Sequence, residues 1–217
     1  MINMNDIIMV AILLSVLLAL ASSRLITLVK VMALQGVMVS LLPLLLQHHS
    51  KMGSGGLIFF QIMILIKGVL IPGLLYVALK RVVSKREVDP IIGYHASLFA
   101  GLLIILLSIF ITLRLHLSLP QGHDLLLTTA IATMAAGFFL MMGRRKAITQ
   151  VIGYLMLENG IYLVGTALTK HAHTAYIVEF GVLLDVLVGV MVMGIILSNI
   201  NNAFEDINTD LLNRLKE

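Results

Sequence analysis

The amino-acid sequence predicts an all-α integral membrane protein with about seven transmembrane helices. Three observations support this class: 59% of the 217 residues are hydrophobic, only 12% are charged, and the mean hydropathy is +1.05. A soluble domain carries roughly 25% charged residues, because its surface must meet water. The net charge of +4 comes from basic residues placed between apolar runs, which favours orientation in a membrane over binding to nucleic acid. The absence of Cys excludes disulfides and thiolate-bound metals on this chain.

Seven apolar runs are long enough to cross a bilayer, since ~20 helical residues span its ~30 Å core. Charged or turn-forming residues separate the runs. Open sheet edges are not tolerated in hydrocarbon and the runs show no alternation, so each is predicted to be a helix. The predicted spans are Asp6–Ser22, Leu25–Gln47, Leu57–Val82, Ile91–His116, Leu125–Met142, Ile148–Thr169 and Ala175–Ser198.

The distribution of basic residues predicts that the amino terminus lies outside and the carboxyl terminus in the cytoplasm. No basic residue precedes Arg24, so the first run lacks the leader of a signal peptide and is predicted to be a retained helix. The outer side then receives Lys51, Arg114 and Lys170, while eleven basic residues fall inside, as the positive-inside rule requires. The inner set is Arg24, Lys30, Lys80, Arg81, Lys85, Arg86, Arg144, Arg145, Lys146, Arg214 and Lys216.

The sequence also predicts an internal repeat, because helices two and three can be aligned with helices six and seven. Gln61 and Lys67 then fall on Glu179 and Asp185, six residues apart in both copies. A fourth helix between the copies gives both the same orientation, so the repeat is parallel. The predicted organisation is a first three-helix unit at 1–83, a cytoplasmic basic loop and linking helix at 84–121, a second three-helix unit at 122–199 and a cytoplasmic tail at 200–217.

The tail is predicted to form an amphipathic helix. Its apolar residues, from Ile200 to Leu215, recur at three- to four-residue intervals with acids between them. Such a helix either lies on the membrane surface or docks a cytoplasmic partner. The acids Glu205, Asp206 and Asp210 would be repelled by anionic lipid, which favours the partner.

Four polar residues are predicted to lie near the middle of the bilayer. Gln35, Lys67, Glu158 and Asp185 each stand about ten residues into a helix, which is ~15 Å of depth. Burial disfavours the charged form of an ionisable group and an opposite charge favours it, so groups in that balance can exchange protons. We therefore predict a proton relay of Glu158, Asp185 and Lys67. The alternative is a static ion pair of Lys67 with one acid, fastening the helices together.

Other polar residues are further candidates for the relay or its mouth: Gln35, Lys30, Glu179, Gln61 and His95. Lys30 can instead reach the cytoplasmic surface along its own stem, and Glu179 lies near an outer helix end. His95 and His116 share one helix, so they cannot clamp one haem iron between them, and no cofactor is predicted. Pro72 follows Lys67 closely and is expected to bend or loosen the third helix.

The stretch from Ile152 to Gly160, with the stretch from Glu179 to Asp185, resembles hydrogenase-4 component E, a membrane subunit of group 4 hydrogenase and formate hydrogenlyase complexes related to complex I. The same half is similar to the K subunit of bacterial complex I. The resemblance implies that Glu158 and Asp185 occupy the positions of the two buried acids of that subunit. Gln35 and Lys67 stand where a second pair of acids would be, so the first half departs from the pattern.

The resemblance implies a multi-pass subunit of the prokaryotic inner membrane that helps couple electron transfer to proton or sodium movement. Its expected partners are antiporter-like membrane subunits and a peripheral hydrogenase-like or quinone-type arm, contacted through the tail. Two alternatives remain: a self-sufficient small secondary transporter, and a passive assembly subunit with a static ion pair. No nucleophile–base pair, phosphate-binding loop or metal-ligand cluster stands out, so the chain is not predicted to be an enzyme by itself.

Overall fold

The computed structural model describes residues 4–46, 61–80, 91–115 and 123–168, together with residues 188, 189, 191, 192 and 194. The regular elements in these ranges are helices, and six of them are long and apolar enough to cross a membrane. They are α1 (Met4–Ala21), α2 (Leu25–Leu46), α3 (Gln61–Lys80), α4 (Tyr94–Leu115), α5 (His123–Gly143) and α6 (Ala147–Leu168).

These six helices confirm the first six predicted spans over the residues that the structure describes. The fourth span was predicted from Ile91, yet α4 begins at Tyr94. Residues 91–93 precede the helix, and the Ile91 N–H donates to the Gly143 carbonyl at 3.0 Å. The predicted seventh span falls outside the described residues except at five positions, of which Val188 and Val192 are buried in the core. The predicted tail helix at 200–217 also lies outside them.

The helices pack as a bundle around α1, α2, α5 and α6. The first helix contacts α2, α4 and α5, while α2 also contacts α3 and α6. Large apolar side chains are exposed on the outer faces, above all on α4, where Phe99, Leu106 and Leu113 are well exposed. In a soluble protein such a surface would be a liability, but it suits contact with lipid. The buried side of α4 presents only small residues, namely Ser97, Gly101, Ser108 and Thr112.

The seam between α5 and α6 is built from glycines. A Cβ atom on Gly137 would lie 2.5 Å from the Leu157 backbone nitrogen, and one on Gly160 would lie 2.6 Å from the Met134 nitrogen. Small residues allow membrane helices to approach until backbone meets backbone, which increases van der Waals contact where lipid supplies no hydrophobic driving force. This close packing fixes the rotation of α6, and with it the direction in which its polar residues point.

Candidate functional site: a buried ion pair in a polar layer

Lys67 lies in a π-helical turn of α3. Residues Ile66–Leu70 form this turn, and the Ile71 N–H donates to the Ile66 carbonyl five residues back. The α-helix resumes at Ile71, and Pro72, which has no N–H to donate, stands in its first turn. The π turn lies where the sequence predicted a bend or loosening near Pro72. Single π turns inside α-helices are frequent at functional sites.

The Lys67 side chain forms an ion pair with Glu158 of α6. Its ammonium nitrogen lies 2.5 Å from Glu158 Oε1 and donates a second hydrogen bond to Asn159 Oδ1 at 3.3 Å. Lys67 is 5% exposed and Glu158 1% exposed. Removing one partner of such a pair leaves an uncompensated buried charge, at a cost of roughly 3–5 kcal/mol. The pair joins α3 to α6 through two residues that lie 91 positions apart in the sequence.

An aromatic ring and a small cavity complete the surroundings of the ammonium. The Lys67 nitrogen lies over the Tyr162 ring, 5.4 Å from its centre, which is within cation–π range. The cavity next to the ion pair has about 10 Å³ for the centre of a water molecule, roughly the room that one water needs. Its lining residues are Met32, Gly36, Lys67, Ile71, Pro72, Leu75, Leu155, Glu158 and Asn159.

The ion pair belongs to a layer of polar side chains between two apolar clusters. On α2, for example, Met32 belongs to one cluster and Val39 to the other, and Gln35 stands between them. The same order recurs along α1, α3, α5 and α6. We call the buried polar residues between the clusters the polar layer: Ser15, Gln35, Lys67, Thr133, Glu158 and Asn159. The three described residues that were predicted to lie at mid-depth all belong to it.

Some polar atoms of this layer have no hydrogen-bond partner among the described residues. Both polar atoms of the Gln35 amide and Oε2 of Glu158 are buried without such a partner. An unsatisfied buried polar group costs roughly 1–3 kcal/mol, so each one calls for an explanation such as water, an ion or a catalytic role. By contrast, the Ser15 and Thr133 hydroxyls donate to carbonyls of their own helices, which leaves their oxygens available as acceptors.

The remaining sequence-predicted residues are not part of this cluster. Lys30, Gln61 and His95 are exposed, and the exposed Lys30 is compatible with a side chain that reaches the membrane surface. Glu179 and Asp185 lie outside the described residues. The structure thus brings together Lys67 and Glu158 from the predicted relay, and buries Gln35 in the same layer.

Two residues of the site, and one buried residue elsewhere in the bundle, were missed in the sequence. Asn159 and Tyr162 follow Glu158 by one and four positions, and a spacing of three to four residues places Tyr162 on the same side of a helix as both of them. That spacing was a usable signal. The third residue is Arg144, which was treated only as a charge that sets orientation.

Arg144 is buried at one end of the bundle, where it contacts several helices. We call this set of contacts the Arg144 clamp. It is 2% exposed, and its Nη2 donates to the Leu20 carbonyl at the end of α1, 3.1 Å away. The guanidinium also lies over the Tyr94 ring at the start of α4, 4.6 Å from the ring centre. Its own carbonyl accepts a hydrogen bond from Gln150. One side chain therefore ties together α1, α4 and the connection from α5 to α6.

No group of three or more His, Cys, Asp or Glu side chains that could hold a metal ion occurs in the part of the chain that the structure describes. The described site offers its own ionisable and polar groups. In the polar layer these are one buried acid, one buried base, two side-chain amides and two hydroxyls, and Tyr162 adds a phenol.

Comparison with known proteins identifies relatives at two levels of sequence identity. The uncharacterized protein Rv0085 of Mycobacterium tuberculosis is 31% identical over 194 residues, which cover 87% of this chain and 85% of that protein. Hydrogenase-4 component E of Escherichia coli K12 is 25% identical over 150 residues, covering 69% of this chain and 68% of that protein, and the component E of Shigella flexneri gives the same values. No protein-family model and no solved structure matches the chain significantly.

Proposed function

This chain belongs to the same protein family as the mycobacterial protein Rv0085 and is a distant homologue of hydrogenase-4 component E, and from this premise we propose that it is a membrane subunit of a complex I-like oxidoreductase. In that complex it contributes to a buried charge relay that couples electron transfer to the movement of protons or sodium ions. The observation that carries the proposal is the buried Lys67–Glu158 ion pair, which joins α3 to α6 in a bundle of apolar helices.

The proposed mechanism uses the ion pair as a proton-loading site. Glu158 accepts a proton, which breaks its ion pair with the Lys67 ammonium, and later passes the proton on, which restores the pair. Asp185, the second acid of the predicted relay, is proposed as the acceptor or donor in the predicted seventh span. The free Glu158 Oε2 and the adjacent cavity offer a place where a proton can arrive by way of water. Lys67 reaches Glu158 from the π turn of α3, and such turns are frequent at functional sites.

A passive role is the second candidate, and the same ion pair favours it. Lys67 already has two oxygen partners and an aromatic ring, so it could serve only to hold α3 against α6. A static pair predicts that apolar replacement of both partners leaves transport unchanged, because well-packed apolar residues often replace a buried pair at little cost.

The proposed location is the cytoplasmic membrane, with the amino terminus outside and the tail at 200–217 in the cytoplasm. The tail and the outer faces of the bundle are proposed to contact antiporter-like subunits and a peripheral hydrogenase-like or quinone-type arm. This orientation rests on the eleven basic residues assigned to the inner side.

The direct test of the subunit proposal is affinity purification. The tagged chain is extracted in a mild detergent, and the proteins that remain bound are identified by mass spectrometry. Recovery with antiporter-like subunits and a peripheral oxidoreductase arm is the expected result. A stable monomer or homodimer without such partners would overturn the proposal and make a small secondary transporter the better hypothesis.

A further inference from the structure

We propose that Asn159 and Tyr162 form a neutral ammonium site, which holds the charge of Lys67 while Glu158 is protonated. The two residues would be positioning residues of the relay. This inference rests on the proposed function, because only a relay requires Glu158 to become neutral. It adds that Lys67 remains a fixed positive charge through the cycle, and that the proton of Glu158 does not come from Lys67.

The geometry of the ammonium carries the proposal. The Lys67 nitrogen is 3.3 Å from Asn159 Oδ1 and 5.4 Å from the centre of the Tyr162 ring. Asn159 is 4% exposed and Tyr162 6% exposed, so neither contact is weakened by bulk water. Both groups attract a cation without carrying a charge: an amide oxygen through its lone pairs and an aromatic ring through its negative face.

A relay without this neutral site would take up no net proton, because Lys67 would lose a proton whenever Glu158 gained one. A buried ammonium whose ion-pair partner has been neutralised is disfavoured, so Lys67 would tend to release its own proton each time Glu158 took one up. The pair would then merely exchange a proton internally. With Asn159 and Tyr162 in place, the ammonium keeps two attractive contacts when Glu158 is neutral, and Glu158 can take its proton from elsewhere.

Nitrogen-15 NMR of the lysine side chains tests the inference, because an ammonium and a neutral amine give separate signals. The sample is the full chain in lipid nanodiscs at neutral pH, with both predicted relay acids neutralised (Glu158→Gln and Asp185→Asn). Lys67→Met identifies the Lys67 signal by its disappearance. In this background the Lys67 nitrogen is expected to remain an ammonium. If it is already a neutral amine, the proposal is overturned.

Further variants in the same background separate the two neutral contacts from mere packing. Replacing both Asn159 and Tyr162 by Leu is expected to abolish the ammonium signal of Lys67 while the other lysine signals persist. Tyr162→Phe keeps the ring and is expected to retain the signal. Persistence of the ammonium in the double Leu variant would overturn the proposal. Since the measurement needs no partner subunit, it can fail while the relay stands, and the relay can fail while it succeeds.

Discussion

Gly36 of α2 faces the backbone of Lys67 so closely that a Cβ atom on residue 36 would lie 2.9 Å from the Lys67 carbonyl oxygen. The π turn that carries the buried lysine is therefore set by backbone contact with α2. Gly36 also lines the cavity beside the ion pair. The position of Lys67 thus depends on a residue that makes no contact through a side chain of its own.

Gly36→Ala is expected to destabilise the chain relative to Gly73→Ala. Both changes gain helix propensity, but nothing lies within 4 Å of a Cβ on the exposed Gly73. The difference between the two variants is then the cost of overpacking, about 1–3 kcal/mol. Thermal unfolding in a fixed detergent measures it. Equal melting temperatures for the two variants would show that the close contact at Gly36 is unimportant.

The Lys67–Glu158 pair is expected to show strong coupling in a double-mutant cycle. Lys67→Met leaves a buried carboxylate and Glu158→Leu leaves a buried ammonium, so each single change is expected to cost about 3–5 kcal/mol. The combined variant replaces the pair by apolar side chains and should recover most of that loss. Unfolding of all four proteins in the same detergent gives the coupling energy. Additive losses would contradict the ion pair as described.

Arg144 and Arg145 form a natural matched pair, because they contribute equally to the positive-inside bias while only Arg144 is buried. Arg144→Ala removes the contacts to the Leu20 carbonyl and the Tyr94 ring, and a loss of about 2–4 kcal/mol is expected for a buried, hydrogen-bonded charge. Arg145→Ala is expected to change stability by less than about 0.5 kcal/mol. Similar melting temperatures for the two variants would argue against the clamp.

Gln35→Met is expected to make the chain more stable and the complex less active. The substitution removes two buried polar atoms that have no partner among the described residues, which should stabilise the chain by about 1–3 kcal/mol. Functional sites commonly contain groups that lower the stability of the protein, so a polar layer with unpaired buried atoms is expected to serve the function. Unfolding and ion translocation are measured on the same variant. A destabilised chain would show that Gln35 has a structural partner.

Much of the fold could be predicted because lipid imposes simple rules. The first six spans follow from apolar length alone, and the buried positions of Gln35, Lys67 and Glu158 follow from polar residues at mid-span. The seventh span, the tail helix, the parallel repeat and the orientation remain predictions. So do the roles of Asp185 and Glu179, which lie outside the described residues.

What the sequence could not provide was the pairing of residues across helices. Among the acids proposed for Lys67, the choice of Glu158 depends on how α3 and α6 are rotated, and that rotation is set by contacts at Gly36, Gly137 and Gly160. The burial of Arg144 was not predicted for a similar reason. A basic residue in a loop is expected to be a solvated charge. The sequence does not show that the ends of three helices pack around it.

Ion translocation by the intact complex carrying Lys67→Met together with Glu158→Leu tests the central claim most directly. The apolar pair should preserve packing, so assembly is checked first by the recovery of partner subunits. With a relay through Glu158, the assembled complex is predicted to transfer electrons and lose most of its coupled ion movement. Full translocation by the assembled double variant would contradict the relay and leave the ion pair a static fastening between α3 and α6.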